Sequence, residues 1–241
     1  MVIHMVENFK ITAKELKRQV KISIYLPQNY NNSEQGYPVI YALDGQIMFH
    51  SLDDENKAFD LPAILDDCGK ECICIGIHAP KLEEWRISEL CPYYKEDETQ
   101  VDASLSFIFA DYIVNTLHPI LKQRYRFNEN VYLLGFAEGA VFNIYALCHQ
   151  PLFQGAGIFS PRLDICENVL PDLELFFDKS KRVYLYFGGK NTDNTDLFYN
   201  LYSKLEELEC STLKLNYEND EENTASFWQK HLKDFIGFII P

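Results

Sequence analysis

Residues 131–149 read Val131-Tyr-Leu-Leu-Gly135-Phe-Ala137-Glu138-Gly139-Ala-Val-Phe-Asn-Ile-Tyr-Ala-Leu-Cys-His149, and their reading decides the fold. Val131 to Leu134 is apolar on both faces, as a strand covered by helices on each side must be. Gly135 and Gly139 bracket a turn, and Ala140 to His149 reads as a helix. Working outward, Val39–Leu43, Ile73–Ile77 and Val183–Phe187 are apolar runs of the same kind. Val20, Ile22, Ile24 and Leu26 instead alternate with Lys21, Ser23 and Tyr25, which predicts a strand with one wet face near the outside of a sheet. Leu105, Ile108, Phe109, Tyr112, Ile113, Leu117, Ile120 and Leu121 form a stripe at helical spacing, with Pro119 placed to kink or end the helix near its last turn. Leu197, Leu201, Leu205 and Leu208 suggest another helix, and Phe227 to Ile236 a last one. Strands alternating with helices predict an α/β fold: one domain over 1–241, a mostly parallel doubly wound sheet with helices on both faces.

Composition supports this and narrows the partners. The 241 residues are 47% hydrophobic, enough for a substantial core. Twenty-two Lys and Arg stand against 36 Asp and Glu, a net charge of −14, which argues against nucleic acid and anionic membrane surfaces as partners. Met1 to Lys10 holds no apolar run of signal-peptide length and no segment is long enough to span a bilayer, so a soluble, cytoplasmic protein is expected. The seven cysteines, Cys68, Cys72, Cys74, Cys91, Cys148, Cys166 and Cys210, are expected as thiols. The spacing of Cys68, Cys72 and Cys74 has no matching His or Cys pair elsewhere, so no metal and no cofactor is expected.

Ligands of such sheets bind beyond the carboxyl ends of the strands, which directs attention to the segments after Leu43, Ile77, Leu134, Phe159 and Phe187. Gly135-Phe-Ala-Glu-Gly139 has the spacing of a nucleophile elbow, whose central residue is presented above the sheet. That residue is Ala137, and a methyl group has no lone pair with which to attack an ester.

Several ordered segments resemble the putative-esterase family of α/β-hydrolases, with its enterochelin esterase-like, esterase D-like and tributyrin esterase-like members. Val20 to Tyr30 (VKISIYLPQNY) is similar to the family's opening strand. Tyr37 to Gln46 is similar to its next strand, which ends in Asp-Gly-Gln. Arg86 to Tyr93, Phe107 to Arg126 and Gly157-Ile-Phe-Ser-Pro161 match further segments in order. The resemblance implies an α/β-hydrolase fold over most of the chain and a carboxylic ester hydrolase ancestry. It also implies that the triad is missing. Ala137 stands for the serine, Asn223 for the histidine before Trp228, and Lys190 or Asn191 lies near the place of the acid, with Asp193 the nearest carboxylate. The oxyanion-hole backbone would come from Gly45 or Gln46 and from Glu138, whose carboxylate would oppose a developing negative charge.

The expectation is therefore a pseudoenzyme with a degenerate triad, retained to bind a small ligand or a protein, or to form a homo-oligomer. Its crevice would be bounded by Asp44, Gly45, Gln46, Phe136, Ala137, Glu138, Ser160 and the Asn223 loop, with His78, Arg86 and Trp228 at the rim. Whether Phe136, Glu138 and Trp85 leave it open is not legible in the sequence. The alternative is an active ester hydrolase using Ser160 or an activated water, with His78 or His50 as base. His231 is expected to pack on one side of the last helix. Glu218-Asn-Asp-Glu-Glu222 is read as a solvated loop rather than a cation site.

Overall fold

The computed structural model describes residues 5–49, 60–94, 104–190, 192 and 194–241. In chain order its elements are β1 (Met5–Ala13), β2 (Arg18–Leu26), β3 (Tyr37–Leu43), α1 (Gly45–Met48), α2 (Leu61–Cys68), β4 (Ile73–Ile77), α3 (Glu83–Leu90), α4 (Ser104–Asp111), α5 (His118–Lys122), β5 (Phe127–Phe136), α6 (Glu138–His149), β6 (Gly155–Phe159), α7 (Leu163–Cys166), α8 (Leu170–Phe176), β7 (Arg182–Gly188), α9 (Thr195–Glu207), β8 (Thr212–Glu218) and α10 (Ala225–Ile239). Eight strands form one sheet in the order β1-β2-β4-β3-β5-β6-β7-β8. β2 runs antiparallel to both its neighbours, and every pair from β4 to β8 is parallel.

Side chains alternate across the pleat into two cores. Val39, Tyr41, Leu43, Val131 and Leu133 enter the layer that holds Val141, Phe142 and Ile144 of α6. Ile40, Ala42, Tyr132, Leu134 and Phe136 enter the opposite layer, with Leu65 of α2 and Leu232, Phe235 and Ile236 of α10. Burial on both faces is what the unbroken apolar runs predicted.

Two expectations need correction, and the one for Pro119 is met. The wet face of β2 is covered: Ser23 and Tyr25 are buried. The Ser23 hydroxyl bonds Asn8 of β1 and His78, and the Tyr25 hydroxyl donates to Asp66 of α2 at 2.5 Å, so both polar tips are satisfied under cover. Pro119 lies as expected in the last helical turn, which ends at Lys122. Tyr112–Leu117 between α4 and α5 widens into a π-helical segment, with the His118 N–H donating to the Ile113 carbonyl, and Pro119 enters the first turn of α5. The wider turn and the first-turn position both accommodate a residue without an N–H. Glu221 is not a freely solvated loop residue, because its carboxylate accepts from Tyr186 and pairs with His231, each at 2.8 Å. His231 accordingly sits against the Tyr186 ring, at 4.3 Å between centroids.

Candidate functional site

β5 delivers the chain to the centre of the sheet's carboxyl edge, where it turns into α6. The turn needs Gly135: a Cβ there would stand 2.3 Å from the Gly139 carbonyl oxygen. Ala137 occupies the apex at φ 51°, ψ −115°. A non-glycine residue in this region is strained by roughly 1–3 kcal/mol. Its N–H donates to the Phe159 carbonyl of β6 at 3.0 Å, and its carbonyl accepts from the Ala140 N–H at 3.1 Å, so the surrounding chain fixes the geometry. Ala137 is half-buried, and its methyl group offers nothing that can attack or carry a proton.

An ion-pair network spans the crevice beside this turn. Asp44 follows β3 in a left-handed conformation, at φ 60°. The Arg86 guanidinium of α3 forks onto its carboxylate, Nε to Oδ1 at 2.8 Å and Nη2 to Oδ2 at 2.7 Å, and its Nη1 donates to Glu138. Arg162 Nη1 reaches the other Glu138 oxygen at 3.4 Å, and Arg162 forks onto Asp164. The Asp44 and Glu138 side chains are only 3% and 7% exposed. Burial alone lowers the Arg86 pKa, but the hydrogen bonds and charges of Asp44 and Glu138 outweigh it and leave the guanidinium more firmly protonated than usual. Burial likewise works against the Asp164 carboxylate, and hydrogen bonds from Arg162 and Asn194 overcome it and hold its pKa below the usual range.

The backbone donors expected of an oxyanion hole are at hand. Gly45 opens α1 and Glu138 opens α6, so their N–H groups and that of Gln46 have no acceptor within their own helices. Gly45 packs so closely on β4 that a Cβ would stand 2.8 Å from Gly76 backbone carbon. The Gln46 side chain binds Asp44 Oδ1 and accepts from the Ala79 N–H, both at 3.0 Å. The Glu138 carboxylate is paired with Arg86 and Arg162.

The other wall carries Ser160, at φ 49°. Its hydroxyl donates to Asn223 Oδ1 at 2.5 Å and accepts from Trp228 Nε1 at 2.9 Å. Asn223 also caps the end of β7, accepting from the Gly188 N–H at 2.8 Å and donating to its carbonyl at 2.9 Å. The Ser160 proton is therefore directed at an amide oxygen, which is far too weak a base to remove it. His78 does not face this wall: its Nε2 bonds the Ser23 hydroxyl at 2.8 Å, on the β2 side of the sheet. Phe136 is not a rim residue. It is 1% exposed, packed 5.0 Å from Phe159 and 4.9 Å from Trp228 between ring centroids. His50, Asn191 and Asp193 lie outside the described residues.

Two grooves meet at Arg162. One of about 470 Å³ runs between α3 and α7 and is lined by Leu82, Ile87, Tyr94, Glu138 and Ile165 among others. The second, of about 340 Å³, lies at the carboxyl ends of β6 and β7 and includes Ser160, Lys190, Asn194, Glu222, Asn223 and Thr224. Neither groove is lined by Asp44, Gly45, Gln46 or Ala137, and Trp85 stands about half exposed on α3. Arg162, Asn194 and the Lys190–Glu222 pair escaped sequence reasoning. A cation three residues past the end of β6 was the available signal for Arg162.

Among the described residues no group of three or more His, Cys, Asp or Glu lies together as a metal site would require. Cys72 and Cys74 are buried thiols, and burial pushes Cys72 up to about 12. No described helix is long and apolar enough to cross a membrane.

Strand order, the single reversed strand and the strained strand–helix turn at the fifth strand define an α/β-hydrolase fold. Solved structures agree. An IroE-like serine hydrolase from Shewanella oneidensis matches with TM-score 0.77 at 20% identity, over 97% of this chain and 78% of the other. The BES protein from Bacillus cereus matches with TM-score 0.76 at 21% identity, over 100% and 98%. The enterobactin and salmochelin hydrolase IroE matches with TM-score 0.72 at 16% identity, over 98% and 97%. The chain belongs to the Putative esterase family, whose pattern matches residues 13–235. No curated protein matches it.

Proposed function

We propose that this chain is a non-hydrolytic member of its family, which uses the crevice above Ala137 to hold a ligand or a partner protein without cleaving an ester. One observation carries the reading: the turn that should present a nucleophile presents the Ala137 methyl group. An acyl-enzyme route needs a nucleophile and a base to activate it, and loss of both removes the route itself. On this reading Asn223 stands where the base would be, holding the β7 end and Ser160 together in place of proton transfer. Glu138 adds a carboxylate beside the backbone donors that would stabilise an oxyanion, which opposes the charge that develops there.

The rival that sequence reasoning kept open uses Ser160 as nucleophile. Its hydrogen bonds speak against it, since neither Asn223 Oδ1 nor Trp228 Nε1 can accept its proton as a base. The test is hydrolysis of short-chain nitrophenyl esters by the purified protein beside Ser160→Ala. Both should match the buffer blank. Turnover by the wild type that Ser160→Ala abolishes would make this an enzyme with a relocated nucleophile.

A further inference from the structure

The groove at the ends of β6 and β7 departs from the sign of the whole molecule. The chain carries −14, yet Arg162 and Lys190 both line this groove, and Glu222 is the one carboxylate among its described lining residues. The two cations are held differently. Arg162 is fixed by its fork onto Asp164, at 2.9 to 3.0 Å. Lys190 has a fixed backbone, its N–H donating to the Glu221 carbonyl at 3.0 Å, but its side chain is 49% exposed and its ammonium meets Glu222 at 3.3 Å. An exposed pair of this kind contributes little, so a better-placed anion can take the place of Glu222. Asn194 and Asn223 line the same groove with their amides bound to Asp164 and to Ser160 and Gly188, and Pro161 and Phe187 lie buried beneath it.

We propose that this groove binds a small organic monocarboxylate, its charged group on Lys190 with Arg162 behind. One exchangeable cation, backed by a guanidinium already shared with carboxylates, balances a single negative charge and not two. The volume of about 340 Å³ is at the small end of ligand sites and suits a compact molecule. The inference rests on the reading of the crevice as a binding site, and it gives that site a ligand class: the free acid rather than its ester.

The probe is 3-hydroxybutyrate, titrated into the full-length protein at fixed ionic strength and followed by backbone amide chemical shifts, with its methyl ester and inorganic phosphate alongside. The acid should give saturable shifts centred on Lys190, Asn194 and Asn223, and the ester none. Lys190→Gln should weaken binding about tenfold, the order of one charge-assisted hydrogen bond. Glu222→Gln should tighten it by about threefold, because it removes the competing carboxylate; a merely structural role for Glu222 predicts no gain. No saturable shift, an ester that binds as well as the acid, phosphate as tight as the acid, or Lys190→Gln without effect would each overturn the assignment. Conversion of the methyl ester to the acid during the titration would instead overturn the non-hydrolytic reading, leaving the affinities to be judged separately.

Discussion

Replacing Arg86 by Met should be among the most destabilising single changes on the crevice surface. Arg86 donates to both Asp44 oxygens and to Glu138, and those two carboxylates are 3% and 7% exposed. Removing one partner of a buried pair costs about 3–5 kcal/mol, because the charge left behind is neither solvated nor paired. Two circumstances pull the value to the lower end: the Arg86 side chain is itself 21% exposed, and Arg162 stays 3.4 Å from Glu138. A loss of about 3 kcal/mol follows, which for a chain of this length lowers Tm by roughly 6–12 °C. Urea unfolding by circular dichroism measures it, with the slope against urea unchanged. The mechanism has its own control: Arg86→Met combined with Asp44→Asn and Glu138→Gln should recover at least half of the loss, since no bare charge remains. A single-variant loss below about 1 kcal/mol, or a triple variant as unstable as the single one, would refute the reasoning.

Ala137→Gly should stabilise the protein by about 1 kcal/mol, because relief of roughly 1–3 kcal/mol of strain at φ 51° exceeds the roughly 0.5–1 kcal/mol that glycine adds to the unfolded chain's freedom; a lower Tm for the variant contradicts this. His118 is buried, hydrogen-bonded to the Tyr41 hydroxyl at 3.0 Å, and burial with the nearby Lys122 charge lowers its pKa. A lowered imidazole pKa means the unfolded chain takes up the proton first, so this contribution is complete above the ordinary histidine range near about 6.5 and is lost as pH falls below it. His118→Phe should therefore flatten the pH dependence of stability between pH 7 and pH 5, whatever its baseline cost, and an unchanged slope in urea titrations at both pH values counts against it.

The central architecture was legible because burial on both faces leaves an unmistakable apolar run, as in Ile73–Ile77, where expected and observed bounds coincide. β1 and β8 escaped because edge strands carry mixed sequences. Met5–Ala13 mixes apolar, polar and two charged residues without strict alternation, and Thr212–Glu218 buries none of its side chains fully. The π-helical stretch before Pro119 leaves no periodic signature over a single turn. At the candidate site, Ala137 was legible from the spacing of the strand–turn–helix motif and Ser160 from its place after a strand, whereas Glu138 and Asn223 came from the resemblance to the family. What side chains do across the sheet was not legible. His78 pairing with Ser23, Arg86 bridging Asp44 and Glu138, and Arg162 joining two grooves all depend on contacts between segments 24 to 55 residues apart.

The account stands most directly on whether the scaffold has lost only its chemical groups. Initial rates on short-chain nitrophenyl esters should be measured for the wild type and for the Ala137→Ser/Asn223→His double variant, each against a buffer blank. The account predicts a wild type indistinguishable from the blank and weak but saturable turnover by the double variant, built on the turn held at φ 51° and the donors that open α1 and α6. Saturable turnover by the wild type would contradict it.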